Sequence, residues 1–424
     1  MRGIVPTVIL CCISILALLA FGALINTLAS PVLYVFLFFS MSPSVANLGP
    51  VQNGFPSSTK ISTHKQSQSE SESKPVLPIP PPTSRTCASH NLINIPNPSL
   101  QVTAQGTIKV VPSPVKPPAC DELLIHIKAT GICGSDVHFW RSGCIGSLKV
   151  EGDCILGHEA SGIIVQVGSG VSNFQTGDRV AIEPGIPCEA CFLCREGKYN
   201  LCDDVAFSGV YPYDGTVQRL KCHKAKWVHK LPDNLTYAQG ALLEPLSVVL
   251  HAISSCGLSI GRPAAIHVAG PIGLTALAAA RASGAHPLVI TDVEKARLAF
   301  AKRFVPSCET YLVRSDLDAQ GNADNIRALF GVRRRNASGV SENEYSAPST
   351  VLECTGIESS IATAAYTARR GGTVMVIGVG KAVINNLPFM HLSLAEVGSP
   401  SSGGRKQNAN VFRSDPVEVH QSIS

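Results

Sequence analysis

The sequence predicts an α/β chain in two parts, an all-β half followed by a half built on a parallel sheet. Three observations carry this. From about Pro98 to about Leu243 the apolar residues come in short alternating runs closed by glycine turns, the pattern of half-buried strands. From Ile260 onward short apolar runs alternate with segments of helical period, the pattern of parallel strands joined by crossover helices. The chain has 424 residues, 45% of them hydrophobic, so it can bury large cores without covalent staples.

Residues 1–40 form a hydrophobic segment. No charge lies between Gly3 and Ser40, and "VILCCISILALLAFGALI" is long enough to span a bilayer. Read literally it is a signal anchor, with Arg2 on the cytoplasmic side. Met41 opens "MSPSVANLG" directly after it, and a mis-extended start with Met41 as the true first residue is the expectation. Residues 41–97, rich in Ser, Pro, Gln and Lys, cannot bury enough apolar surface to fold and are expected to be disordered. Residues 98–258 are expected to form the β domain, with "ELLIHIKATG", "ASGIIVQVGSG" and "GDRVAIEPG" as strands closed by turns.

Residues 259–396 are expected to form the parallel-sheet domain. "PAAIHVAG" reads as a strand, "PIGLTALAAARASGA" as a helix, "PLVITD" as a strand and "VEKARLAFAKRF" as a helix. "CETYLV", "NIRALFGV", "TVLECTG", "SSIATAAYTARR" and "GTVMVIGVG" continue the alternation, for about five strands in all, with "RRNASGVSENEYSAP" as a polar insertion loop. Residues 397–424 are polar and aperiodic and are expected to form a disordered tail.

Net charge is +5, weak for this length. The one basic run, Arg333 to Arg335, sits in the polar loop and reads as a solvated face, so nucleic acid is not an expected partner. Four of the fifteen cysteines fall in "CEACFLCREGKYNLC" with spacing C-x2-C-x2-C-x7-C, at Cys188, Cys191, Cys194 and Cys202. Disulfides at such density suit small secreted scaffolds. In a chain with a large core, four thiolates on short loops fit a tetrahedral zinc site, and because they leave zinc no open position the site reads as structural.

Chemistry must then come from elsewhere. "HVAGPIGLTALAAA" is a strand, glycine turn and helix, where a dinucleotide diphosphate would rest on helix N–H groups. Asp292 ends the next strand, nineteen residues after Gly273, where a carboxylate accepts from a ribose 2′-hydroxyl and repels a 2′-phosphate, favouring NAD over NADP. The bland alternative is an acidic N-cap in an ordinary α/β sheet. Cys133 in "GICGSDVHFW", His158 and Glu159 in "LGHEASG" and Glu244 in "ALLEPLSV" could supply a thiolate, an imidazole and a carboxylate to an open zinc site. Singly, they also read as a core cysteine, a satisfied turn histidine and a helix N-cap.

Together, "GICGSDVHFW", "GCIG", "LGHEASG", "GDRVAIEPG", the cysteine lobe, "EPLSV", "GPIGL" and "ECTG" resemble the zinc-dependent medium-chain dehydrogenases, and within them the polyol branch of sorbitol, xylitol, L-arabinitol and galactitol dehydrogenases. The resemblance runs from roughly Ser99 to Val397. It implies a GroES-like β domain followed by a Rossmann doubly wound parallel sheet, with the active site in the cleft between them. It implies a catalytic zinc on Cys133, His158 and Glu159, with Glu244 at the metal-bound water or the substrate, and a structural zinc on Cys188, Cys191, Cys194 and Cys202. It places Gly270, Pro271, Ile272, Gly273, Asp292 and Arg297 on NAD, and Ile377, Gly378 and Val379 near the nicotinamide. Phe139 would line the substrate pocket, and a proton relay through Ser135 to His138 is expected. The implied partner is a polyol and the implied assembly a homotetramer. The implied location is cytoplasmic, with a membrane involved only if residues 1–40 are a genuine anchor.

Two departures from the pattern stand out. The family's nucleotide turn is G-x-G-P-I-G, and here it reads "VAGPIG", with Val268 in the first glycine's place unless residues are missing from the loop. The pattern also stops near Glu396, where relatives continue with a sixth strand of the Rossmann sheet. The expectation is a mis-drawn gene model around a polyol dehydrogenase. The alternative is an inactive truncated paralogue that binds zinc without catalysis.

Overall fold

The computed structural model describes residues 95–334, 341–381 and 383–398. The hydrophobic segment 1–40, the polar segment as far as 94 and the tail from 399 lie outside these residues.

In the β half, a five-stranded antiparallel sheet runs in the order Leu220–Lys224, Glu122–Thr130, Ala160–Val167, Arg179–Ile182 and Val228–Lys230. The three runs read as strands form its centre. Leu123, Ile125, Ile164, Val180 and Ile182 pack into one core across it. A second sheet orders Ile108–Pro112, Pro98–Val102 and Cys154–Ile155, and Val102, Leu156, Phe139, Ile145 and Phe207 form the core beside it. The ordered backbone reaches into the stretch expected to be disordered. Asn97 is buried, and its side-chain amide accepts from the Leu220 N–H at 2.8 Å and donates to the Leu220 carbonyl at 3.1 Å.

The second half is a five-stranded parallel sheet in the order Glu309–Leu312, Leu288–Asp292, Ala264–His267, Thr350–Glu353 and Thr373–Val376. The strand that comes first in the chain is central, with Ala264 opposite both Leu288 and Thr350. The order in which successive strands are laid down reverses between it and Thr350–Glu353, the switch point at whose carboxyl ends sheets of this kind form a crevice. Crossover helices Pro271–Ala282, Lys295–Phe304, Ala319–Ala328 and Glu358–Thr367 cover the sheet. The alanine-rich face of Pro271–Ala282 allows close packing: Ala276, Leu277 and Ala280 join Ile266 and Ile290 in one core. The helix Leu243–Cys256 joins the two halves. It buries Val248, Val249 and Ala252 in that same core and stops at Gly257, which takes φ +63.

Three elements differ from expectation. The helix read from "NIRALFGV" begins earlier, at Ala319, because Asp318 caps it by accepting the Gly321 N–H at 2.7 Å. In the insertion, Arg333–Arg334 pairs antiparallel with Ser341–Glu342. Buried Arg327 anchors the far end of the insertion, binding the Glu344 carboxylate and the Thr367 and Ala368 carbonyls. The stretch expected to be disordered from 397 opens with two placed residues. Val397 is buried, and Gly398 pairs with Thr373 along the sheet edge, accepting the Val374 N–H at 3.1 Å.

Candidate functional site

The helix Gly134–Ser142 starts where strand Glu122–Thr130 ends, and Cys133 is its N-cap. Asp136, at the third helical position, accepts the Cys133 N–H at 2.9 Å through one carboxylate oxygen and the Gly157 N–H at 2.9 Å through the other. Two separate chain segments are thereby tied to one buried carboxylate, which also lies 3.8 Å from His158 Nδ1. The result brings Cys133, His158 and Glu159 together, with one ligand atom from each within 4.8 Å of the others.

The donor set fits a divalent cation. His158 is buried, and its Nε2 has no hydrogen-bond partner although buried ring nitrogens are normally satisfied. Burial pushes the Cys133 thiol up to about 12, and Glu159 and Asp136 push in the same direction. Burial raises the Glu159 carboxyl, against the pull of His158, and raises that of Glu244 well above the usual range. Burial alone would lower His158, but Asp136, Glu244 and Glu159 together raise it. Anion-forming groups thus crowd a dry site and raise one another, which a cation would reverse. Glu244 is buried in the first turn of Leu243–Cys256 and interacts electrostatically with His158 and Glu159, but it stands outside the three-residue cluster.

Ser135 is buried, with Oγ 3.5 Å from Cys133 Sγ. His138 is half-buried on the same helix, and burial lowers its pKa. Phe139 is 2% exposed and belongs to the core of the β half. Val379, from the parallel-sheet half, packs against that same core.

The cysteine lobe also converges. Cys188, Cys191, Cys194 and Cys202 place their sulfurs within 4.8 Å of one another. The nearest pair, Cys191 and Cys194, is 3.4 Å apart, beyond any disulfide bond. All cysteines among the described residues are free. N–H groups of Ala190 and Cys191 pull the Cys188 thiol down to about 7, as donors aimed at a thiolate should.

In the crevice, Gly270 is the N-cap of Pro271–Ala282, and Gly273 has no room for a side chain, since a Cβ there would lie 1.8 Å from the Val268 carbonyl oxygen. A close-packed turn at a helix N-terminus is the arrangement that seats a dinucleotide diphosphate, so the residues fit that group. Asp292 ends its strand as expected, but its side chain is fully buried. One oxygen accepts the Ala269 N–H and the other the Glu294 N–H, both at 2.8 Å, and Arg297 lies 3.7 Å away. Gly378 lies against the backbone of Thr355 and Gly356, and the Ile377 N–H bonds the Glu353 carbonyl, so this segment lies at the carboxyl end of Thr350–Glu353, with Ile377 itself buried in the core.

Sequence reasoning missed Asp136 and did not single out Gly131. The first carries a readable signal, an acidic residue three after an N-cap. The second carries none, because its role is the space it leaves beside Glu159, whose Oε2 would lie 1.9 Å from a Cβ at that position.

The family described as alcohol dehydrogenase GroES-like domain matches residues 119–233, and the family described as zinc-binding dehydrogenase matches residues 271–410. An L-arabinitol 4-dehydrogenase from Aspergillus oryzae is 49% identical over 276 residues, covering 65% of this chain and 70% of that protein. A sorbitol dehydrogenase from Bos taurus is 40% identical over 301 residues, covering 71% and 80%. Among solved structures, a galactitol-1-phosphate dehydrogenase from Escherichia coli superimposes with a TM-score of 0.60 at 26% identity, covering 77% of this chain and 87% of that one.

Proposed function

Since the chain belongs to the zinc-binding dehydrogenase family, in its polyol branch, we propose that it oxidises a secondary hydroxyl of a sugar alcohol to a ketose and passes the hydride to NAD. The observation that carries this reading is the convergence of Cys133, His158 and Glu159, with buried His158 leaving its Nε2 unpartnered. Zinc held by these three would supply Lewis-acid polarisation of the substrate hydroxyl, and bound NAD would supply the hydride acceptor.

The chain's own groups handle the proton. Glu244, its carboxyl raised by burial, holds or accepts a proton beside the cluster. Ser135, next to Cys133 Sγ, starts the path outward. His138, kept neutral by burial, receives the proton on the more exposed side of the helix. Gly270, Pro271, Ile272 and Gly273 seat the diphosphate, Asp292 and Arg297 shape the adenosine end, and Ile377, Gly378 and Val379 the nicotinamide end. Phe139 supports the pocket wall from the core behind it. The lobe cysteines hold a structural zinc.

The convergence of the four lobe cysteines into a zinc-type thiolate set supports a reducing, cytoplasmic location. Among the described residues no helix is long and apolar enough to cross a membrane. A homotetramer completes the reading on family resemblance.

The test is NADH formation, followed by absorbance, by the purified protein with L-arabinitol, sorbitol, xylitol and galactitol, with zinc content measured alongside. Turnover of at least one is expected. Full zinc content with no turnover of any would select the alternative, a chain that binds zinc without catalysis.

A further inference from the structure

Four described non-glycine residues adopt positive φ: Glu189, Val268, Asn343 and Glu396. Val268, at φ +84, is the only β-branched one, and a β-branched residue in this region is a genuine outlier. Such conformations persist where the surroundings over-determine them, and they concentrate at functional sites.

The surroundings here do so on every side. The His267 carbonyl, just before it, accepts the Cys354 N–H at 3.2 Å. The Ala269 N–H, just after it, is held by the buried Asp292 carboxylate at 2.8 Å. The Gly270 carbonyl accepts the Leu274 N–H at 2.8 Å. The Val268 carbonyl fills the space that Gly273 leaves. The backbone therefore keeps a glycine-type turn although the residue is valine. Its half-buried side chain has to go somewhere, and Cγ1 lies 3.4 Å from where a Cβ on Gly270 would stand. The isopropyl group stands beside the N-cap of Pro271–Ala282, where a diphosphate would meet the helix N–H groups.

We propose that Val268 sets the dinucleotide affinity of this chain by crowding the diphosphate seat, so that NAD binds more weakly than it would with glycine at this position. The inference rests on the NAD-dependent reading above and concerns the same crevice. Removing the side chain opens the seat while every backbone contact of the turn remains available. Val268→Ala removes only the two methyl groups and separates crowding from the backbone effect of a Cβ.

The experiment is titration of NADH, and separately of ADP-ribose, into the zinc-loaded wild type, Val268→Gly and Val268→Ala, with zinc content and circular dichroism confirming that each protein is folded. Val268→Gly is expected to tighten both ligands by about tenfold or more, which corresponds to ~1.4 kcal/mol. Val268→Ala is expected to recover a large part of the gain. Equal affinities for all three proteins, with NADH binding intact, would overturn the proposal and leave the NAD-dependent reading standing. Tightening of NADH without ADP-ribose would also overturn it, because the seat contacts the diphosphate that both share. No NADH binding by the wild type or either variant would overturn both.

Discussion

At Gly131 the protein needs empty space. A Cβ there would lie 1.9 Å from Glu159 Oε2 and 3.0 Å from its Cβ and Cδ. The Gly131 N–H also donates to the Glu159 carbonyl at 2.7 Å, so the backbone cannot move aside without releasing the residue that leads into strand Ala160–Val167. The carboxylate itself must therefore shift. Gly131→Ala is expected to weaken zinc binding at the Cys133–His158–Glu159 cluster by about 10–100-fold, in the range seen when the surroundings of a metal ligand are disturbed. The lobe zinc should be unaffected. Competition with a chromophoric chelator measures both, and two unchanged affinities would refute the argument. This residue also marks how far the site could be read in the sequence. Cys133, His158 and Glu159 were legible because their side chains carry the ligand chemistry. Gly131 was not, because its contribution is an absence that only the packed fold gives meaning to. Asp292 was legible as a strand-end carboxylate, but not its complete burial, which depends on the turn at Ala269 folding back over it.

At the scale of elements, the cysteine lobe is a loop with its own chemistry. The four sulfurs belong to one short stretch, Cys188 to Cys202, and none of the four serves the other cluster. The lobe is tied to the β sheet through Tyr199, whose hydroxyl donates to Glu183 at 2.8 Å, and through the tilted contact of Tyr199 with Trp227. Cys194→Ser should therefore remove one zinc equivalent per chain, lower the melting temperature and leave the second equivalent in place. Loss of both equivalents, or of neither, counts against two independent sites. The central strand Ala264–His267 makes a different prediction. Its last residue, His267, is buried with Nε2 unpartnered, and burial lowers its pKa to about 4 while a hydrogen bond with the Ser360 backbone opposes. The folded pKa lies below the unfolded value, so the unfolded chain takes up a proton first as pH falls. Stability is then lost from about pH 6.5 downward, reaching about 2 kcal/mol from this residue at pH 5. Buried carboxyls such as Glu353 shift the other way, but they are shared by any variant of His267. His267→Val should thus lose about 2 kcal/mol less than the wild type between pH 7 and pH 5, as read by urea unfolding at the two values. Parallel pH responses would mean that His267 titrates normally. The strand itself was legible from its apolar run ending at glycine. The cost of its histidine was not, because burial on both faces follows from the helices packed over it.

For the whole molecule, the central question is how two halves with separate cores behave as one. Among the described residues, two of the connections between them are a helix and a side-chain contact. Helix Leu243–Cys256 carries Glu244 to the metal cluster at its start and buries its apolar residues in the parallel-sheet core along its length. Val379, after the last full strand of that sheet, packs against the core that holds Phe139, Ile145 and Phe207 in the β half. The two-part architecture was legible because the hydrophobic period changes from two to about three and a half at the boundary. The Val379 contact was not, because it joins residues far apart in sequence and follows no period. It predicts cooperative unfolding. The only two tryptophans, Trp140 and Trp227, lie in the β half, so intrinsic fluorescence reports on that half. The far-UV helical signal comes mainly from the crossover helices of the other. In the zinc-loaded wild type the two signals should lose their native values at the same urea concentration, as one cooperative unit does. Val379→Asp places a charge at this partly buried apolar contact and should weaken the junction by about 1–2 kcal/mol. The two transitions should then separate by roughly 0.5–1 M urea. If they stay coincident, the coupling runs elsewhere, with helix Leu243–Cys256 as the connection that remains. The contact that brings Val379 to the β half would then carry no share of the coupling.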